Sequence, residues 1–151
     1  MKLAEALQER ADLNRNIQQL GSRLANNALV QEGEKSPESP EELKRELDSS
    51  AERLAYLMAH INLTNNSVTS GGRTLTEIIA EKDALTVKIG IYKNIVQSAS
   101  MNCYRARGTE IKILPTISVA DWQKQIDRME KQLRLLDNKL QQTNWNADLI
   151  E

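Results

Sequence analysis

The chain has 151 residues, 40% hydrophobic and only 3% aromatic, with no Phe. Its 20 basic and 21 acidic residues leave a net charge of −1, which excludes a whole-molecule attraction to nucleic acid or anionic lipid. The single Cys excludes an intrachain disulfide, and the charges at Glu5, Glu9 and Arg10 exclude an apolar signal-peptide core.

The first helix is expected from about Lys2 to Asn26. Leu13, Ile17, Leu20 and Leu24 form one stripe, which Leu3 and Ala6 extend backward. Gly21 lies inside it and weakens it by about 1 kcal/mol relative to Ala. A connector at 27–39 follows, punctuated by Gly33 and Pro37. The second helix has a clear start, because Ser39 caps, Pro40 suits the first helical position and Glu42 completes a capping box. Its stripe reads Leu47, Ala51, Leu54, Met58 and Ile61. It ends in "HINLTNNSVTSGG", where Asn, Thr, Ser and Gly displace the periodic pattern.

The third helix starts at Thr74, with Glu77 three residues on as a second capping box. Leu75, Ile78, Leu85, Ile89, Tyr92 and Val96 form one seam, interrupted by Lys82. Val87, Ile91 and Ile95 occupy the opposite side, and a helix apolar on two faces is expected to be sandwiched. The stretch "EIKIL" alternates and favours an extended segment near 110–114, with "ALVQ" in the connector as its pairing partner. The fourth helix follows Ser118. Val119, Trp122, Ile126, Met129, Leu133, Leu136 and Leu140 step by three and four without a miss, a narrow seam that wants one partner helix.

These elements predict a single all-α domain over 1–151. It is an elongated antiparallel helical bundle or coiled coil of about four helices, at about 2–26, 40–64, 74–100 and 118–143, with a short extended segment. No window approaches the ~20 apolar residues of a membrane span, so a cytoplasmic location is expected, with export by a non-classical route left open.

Chemistry-bearing residues are sparse. The one His, His60, lacks the Glu-x-x-His partners of a di-metal bundle site, so no metal and no cofactor are expected. Cys103 has no neighbouring Cys or His, and the paired helical carboxylates sit among Lys and Arg, as on a solvated face. Two polar constellations remain as ligand-binding candidates. Asn62, Thr64 and Asn65, with Arg73 and Thr74 across the Gly-Gly turn, combine amide, hydroxyl and cationic groups beside a helix N-terminus. Arg105, Arg107 and Lys112, beside Tyr104, suit a phosphate, a carboxylate or an acidic patch. They equally suit the acidic segment from Glu32 to Glu52 of this chain.

The stretches "MKLAEALQERADLNRNIQQL", "NALVQEGE", "INLTN", "LTEIIAEKDAL", "EIKILPT" and the terminal "NW" resemble the septicolysin-like family of small bacterial helical proteins. The resemblance spans nearly the whole chain. It implies a helical fold and, through the septicolysin label, a membrane-damaging activity; it assigns no catalytic residue. Three functions follow. The first is a non-enzymatic scaffold or binding protein that forms homo-oligomers through helix seams such as Val119–Leu140. The second is a septicolysin-like cytolysin, the one reading that brings a membrane into play. The third is a small-anion or nucleotide-binding protein. A nucleic-acid partner is not expected.

Overall fold

The computed structural model describes residues 1–101 and 112–151, and the described residues form an all-α fold. Its elements are α1 (Leu3–Asn26), α2 (Pro40–Ser67), β1 (Thr69–Ser70), β2 (Arg73–Thr74), α3 (Leu75–Ser100) and α4 (Val119–Asn146). They divide into two compact units, Met1–Thr74 with Gln142–Glu151, and Leu75–Gln141.

In the first unit α1 and α2 pack antiparallel. Arg53 grips Glu9 with both carboxylate oxygens at 2.7 and 2.9 Å near one end, and Arg23 pairs with Glu38 at the other. Between them the helices bury Leu3, Ala6 and Leu20 from α1 against Leu43, Leu57 and Ile61 from α2. The α1 stripe is the expected one. The α2 stripe is not: Ala51 and Met58 are exposed, and the buried line runs Leu43, Ser50, Leu57, Ile61 and Thr64. Two core positions hold hydroxyl residues, which hid the period. Both hydroxyls are partnered, Ser50 with the Asn16 amide at 3.5 Å and Thr64 as described below.

The connector is tied down at its far end. Asn27 is buried, accepts the Glu38 N–H at 3.0 Å and donates to the Arg23 carbonyl at 2.8 Å. The Ser39 hydroxyl then accepts the Glu42 N–H and caps α2.

Helix α2 continues to Ser67, through the polar run expected to end it. Thr64 and Ser67 return hydroxyl hydrogen bonds to the carbonyls of His60 and Leu63, at 2.7 and 2.9 Å. These bonds satisfy the hydroxyls without strengthening the helix; the burial of Ile61 and Thr64 in the core keeps this run of poor propensity helical. Thr69–Ser70 and Arg73–Thr74 then form an antiparallel hairpin, Ser70 opposite Arg73. Its two-residue loop has Gly71 at φ 61° and Gly72 at φ 78°. Positive φ at both loop residues defines a type I′ turn, whose twist matches the strands.

In the second unit α3 and α4 face each other antiparallel. Lys82 pairs with Asp137 and Lys93 with Glu130, and the Gln132 amide reaches Glu81 at 3.1 Å. The Tyr92 and Trp122 rings meet at 4.8 Å between centroids. The Val119–Leu140 seam is thus turned toward α3, with Ile126 and Leu140 buried and no seam residue fully exposed. Lys82, the apparent break in the α3 seam, is the ion-pair partner of Asp137.

Part of the expected extended segment lies outside the described residues, and one expectation for α3 is corrected. The only strands among the described residues lie at 69–74. Lys112, Ile113 and Leu114 carry no strand, nor does "ALVQ" at 28–31, while Glu110 and Ile111 lie outside the described residues. Nor is α3 sandwiched: Val87, Ile91 and Ile95 are 64%, 53% and 37% exposed. Helix α4 also runs to Asn146, past the expected end at 143. Its last carbonyl, that of Asn146, accepts from Lys2 Nζ at 3.1 Å, and just past the helix the Ala147 carbonyl accepts the Leu3 N–H at 2.9 Å.

Candidate functional site

The last turns of α2 hold the first constellation, and the helical period separates its members. Thr64 points into the core and is wholly buried, while Asn62, two residues earlier, is exposed and Asn65 is half-buried. Arg73 is exposed on β2 and Thr74 half-buried beside it; both are engaged in interactions within the protein. Asn62 and Thr64 therefore do not meet around a common point.

Thr64 belongs instead to a clamp on the C-terminal segment. Its Oγ1 donates to the His60 carbonyl at 2.7 Å and accepts the Ile150 N–H at 2.9 Å. His60 Nδ1 lies 2.8 Å from the Ile150 carbonyl oxygen. A carbonyl only accepts, so Nδ1 carries the proton, and Nε2 is the acceptor in the neutral ring. The Tyr56 ring packs against the imidazole, with centroids 4.1 Å apart, and Arg53 stands over that ring at 5.2 Å.

The other side of the segment is held by the N-terminus. The Leu3 N–H donates to Ala147 and the Leu149 N–H to Met1, both at 2.9 Å. Lys2 bridges antiparallel to Asp148, and its ammonium lies 2.8 Å from that carboxylate. This ion pair holds the Asp148 carboxyl below its ordinary range. Leu149 fills the space between and is buried. Sequence reasoning missed Lys2, Asp148, Leu149 and Ile150, since most of this clamp is made of backbone groups that every residue carries. The visible signal was a Thr near a helix end, read there as a ligand group.

Of the second constellation, Lys112 is exposed, and Tyr104, Arg105 and Arg107 lie outside the described residues, as does Cys103. Near Lys112, residues 114–117 form a shallow groove with Ile95, Ser98 and Ala99 of α3. A second cleft, at the start of α2, is polar and carries Arg23, Glu38, Glu42 and Glu46. Arg23 and Asn27 both engage Glu38 there, and the Arg23 guanidinium keeps the Glu38 carboxyl below its ordinary range. Among the described residues, no group of three or more His, Cys, Asp or Glu is placed to hold a metal ion. No helix among them is long and apolar enough to cross a membrane.

A crystal structure of a functionally unknown conserved protein from Corynebacterium diphtheriae matches this chain with a TM-score of 0.93 and 33% identity, covering 99% of both chains. No curated protein matches it. A family model described as a family of unknown function, DUF6847, matches residues 10–149. With nearly all of its helical scaffold inside that match, the chain belongs to the DUF6847 family.

Proposed function

We propose that the protein is a non-enzymatic helical scaffold that works by association, and that the outer face of α3 is its contact surface. The observation that carries this reading is the exposure of Val87, Ile91 and Ile95 along one side of that helix. Branched aliphatic side chains at successive helical turns form a stripe, and a stripe left in water is a place for another helix. The Val119–Leu140 seam already faces α3 within the chain, so the free association surface falls on the opposite side of α3. Size-exclusion chromatography with light scattering across a concentration series tests this. Growth in mass with concentration is expected, and a concentration-independent monomer overturns it.

A further inference from the structure

The outer face of α3 has a pattern that selects its occupant. Ala80, Ala84, Val87, Ile91, Asn94 and Ser98 step by four and three, all are exposed, and none is charged. Ile95 stands beside this line. The N-terminal half is small, with Ala80 and Ala84, and the next turns are bulky, with Val87 and Ile91. A helix that is small at one end and bulky at the other packs well against a reversed copy of itself. Resting on the association reading above, we propose that a second copy of this chain covers the face, its α3 antiparallel about a two-fold axis. Val87 of each copy then lies on Ala84 of the other, and Ile91 on Ala80.

The charges beside the stripe agree with that register. In an antiparallel helix pair, equivalent flanking positions meet across the seam. Lys88 of each copy comes opposite Glu81 of the other, twice by symmetry, and Asp83 comes opposite Gly90. No like charges face each other. The two charged groups are also held in place before contact. Glu81 accepts from Gln132 at 3.1 Å, and Lys88 lies over the Tyr92 ring at 5.6 Å from its centroid. A parallel pair would instead set Val87 on Val87 and Ala84 on Ala84, and would place Asp83 opposite Lys88. One helix face per copy is small beside a standard interface of about 1,200–2,000 Å², so the dimer dissociates on dilution.

The test uses the full chain in size-exclusion chromatography with light scattering, with circular dichroism to check that each variant is folded. Wild type is expected to pass from monomer to dimer with concentration. Glu81→Lys and Lys88→Glu each place like charges across the seam twice and should weaken the dimer about tenfold or more. The double swap, Glu81→Lys with Lys88→Glu, restores it, and Asp83→Lys leaves it intact. Ile91→Lys abolishes it. An oligomer insensitive to Ile91→Lys overturns the α3 face and leaves association standing. A dimer broken by Asp83→Lys, or broken by the single swaps without rescue by the double swap, overturns the antiparallel register. A monomer at every concentration removes both this inference and the association reading.

Discussion

The hydroxyl of Thr64 accepts the backbone N–H of Ile150 at 2.9 Å, across 86 positions of sequence, while it donates to His60 one helical turn back. A single buried side chain thus bonds back to the preceding turn of α2 and anchors the C-terminal segment. The imidazole of His60 completes the attachment by meeting the Ile150 carbonyl oxygen. Both backbone polar groups of Ile150 are therefore engaged by side chains of α2 rather than by a strand, and no backbone ladder is needed to hold this part of the segment.

Replacing Thr64 by Val keeps the shape and removes both hydrogen bonds. The Ile150 N–H then loses its partner, and a cost of about 1–2 kcal/mol is expected. Urea denaturation measures the loss, and hydrogen exchange at Ile150 and Leu149 localises it. Thr64→Ser retains the hydroxyl and should restore most of the protection at Ile150. Equal exchange in wild type and Thr64→Val would show that the segment is held without this bond.

Glycines in two settings should respond with opposite sign. Gly72 has φ 78° and open space where a Cβ would sit, so an Ala there meets only backbone strain. A cost of about 1–2 kcal/mol is expected from the left-handed conformation. Gly21 is exposed inside α1, and its added Cβ meets nothing within 4 Å. Gly21→Ala should stabilise by about 0.5–1 kcal/mol through helix propensity and a less flexible unfolded chain. Thermal melts of the two variants should move in opposite directions.

How far the sequence could be read follows from where apolar side chains carry the pattern. The stripes of α1, α3 and α4 are built mainly from Leu, Ile and Val, and their inward lines match the periodicity, while the second apolar face of α3 stays exposed. Helix α2 was misread by a small rotation because Ser50 and Thr64 hold core positions, and a count of apolar residues passes over them. Its end was placed early because Asn and Thr are poor helix formers, and sequence shows propensity but not the packing of Ile61 and Thr64 that overrides it. The clamp was invisible because Leu3, Ala147, Leu149 and Ile150 meet through main-chain groups. The Gly-Gly turn was located correctly, and its φ values add that it is a hairpin loop. The sequence marked Thr64 as unusual but gave no sign that its partner was Ile150.

Two ion pairs across the first unit make its stability acid-sensitive. The Arg53 hydrogen bonds hold the Glu9 carboxyl below its ordinary value, and Arg23 does the same for Glu38. A carboxyl with a depressed folded-state value contributes stability above its unfolded value and loses it as pH falls through the folded one. Melting temperature should therefore drop as pH falls below about 4. The variant Glu9→Gln with Glu38→Gln should start lower near neutral pH and show a shallower decline. Because these groups are partly solvent-exposed, the difference between the two curves should shrink at high salt. Parallel curves for the two proteins would show that other carboxylates govern acid unfolding.

The second unit offers an optical handle in the Tyr92–Trp122 contact. The two rings tilt by 38° at 4.8 Å, within the range of favourable aromatic pairs. Such pairs contribute about 0.5–1.5 kcal/mol beyond simple burial. Tyr92→Leu keeps an apolar group against α4 but removes the ring contact, so a loss of about that size is expected. Trp122 is half-buried and Trp145 is exposed, so Trp122 dominates any shift in emission when α3 and α4 separate. Unfolding followed by fluorescence in a Trp145→Tyr background therefore isolates the α3·α4 contact. The Tyr92→Leu change should move its midpoint to lower denaturant. Hydrogen exchange at Leu149 and Ile150 in native conditions reports the first unit alongside it. An unchanged midpoint would mean that Trp122 is held by its aliphatic neighbours and that the tilted ring contact contributes nothing measurable.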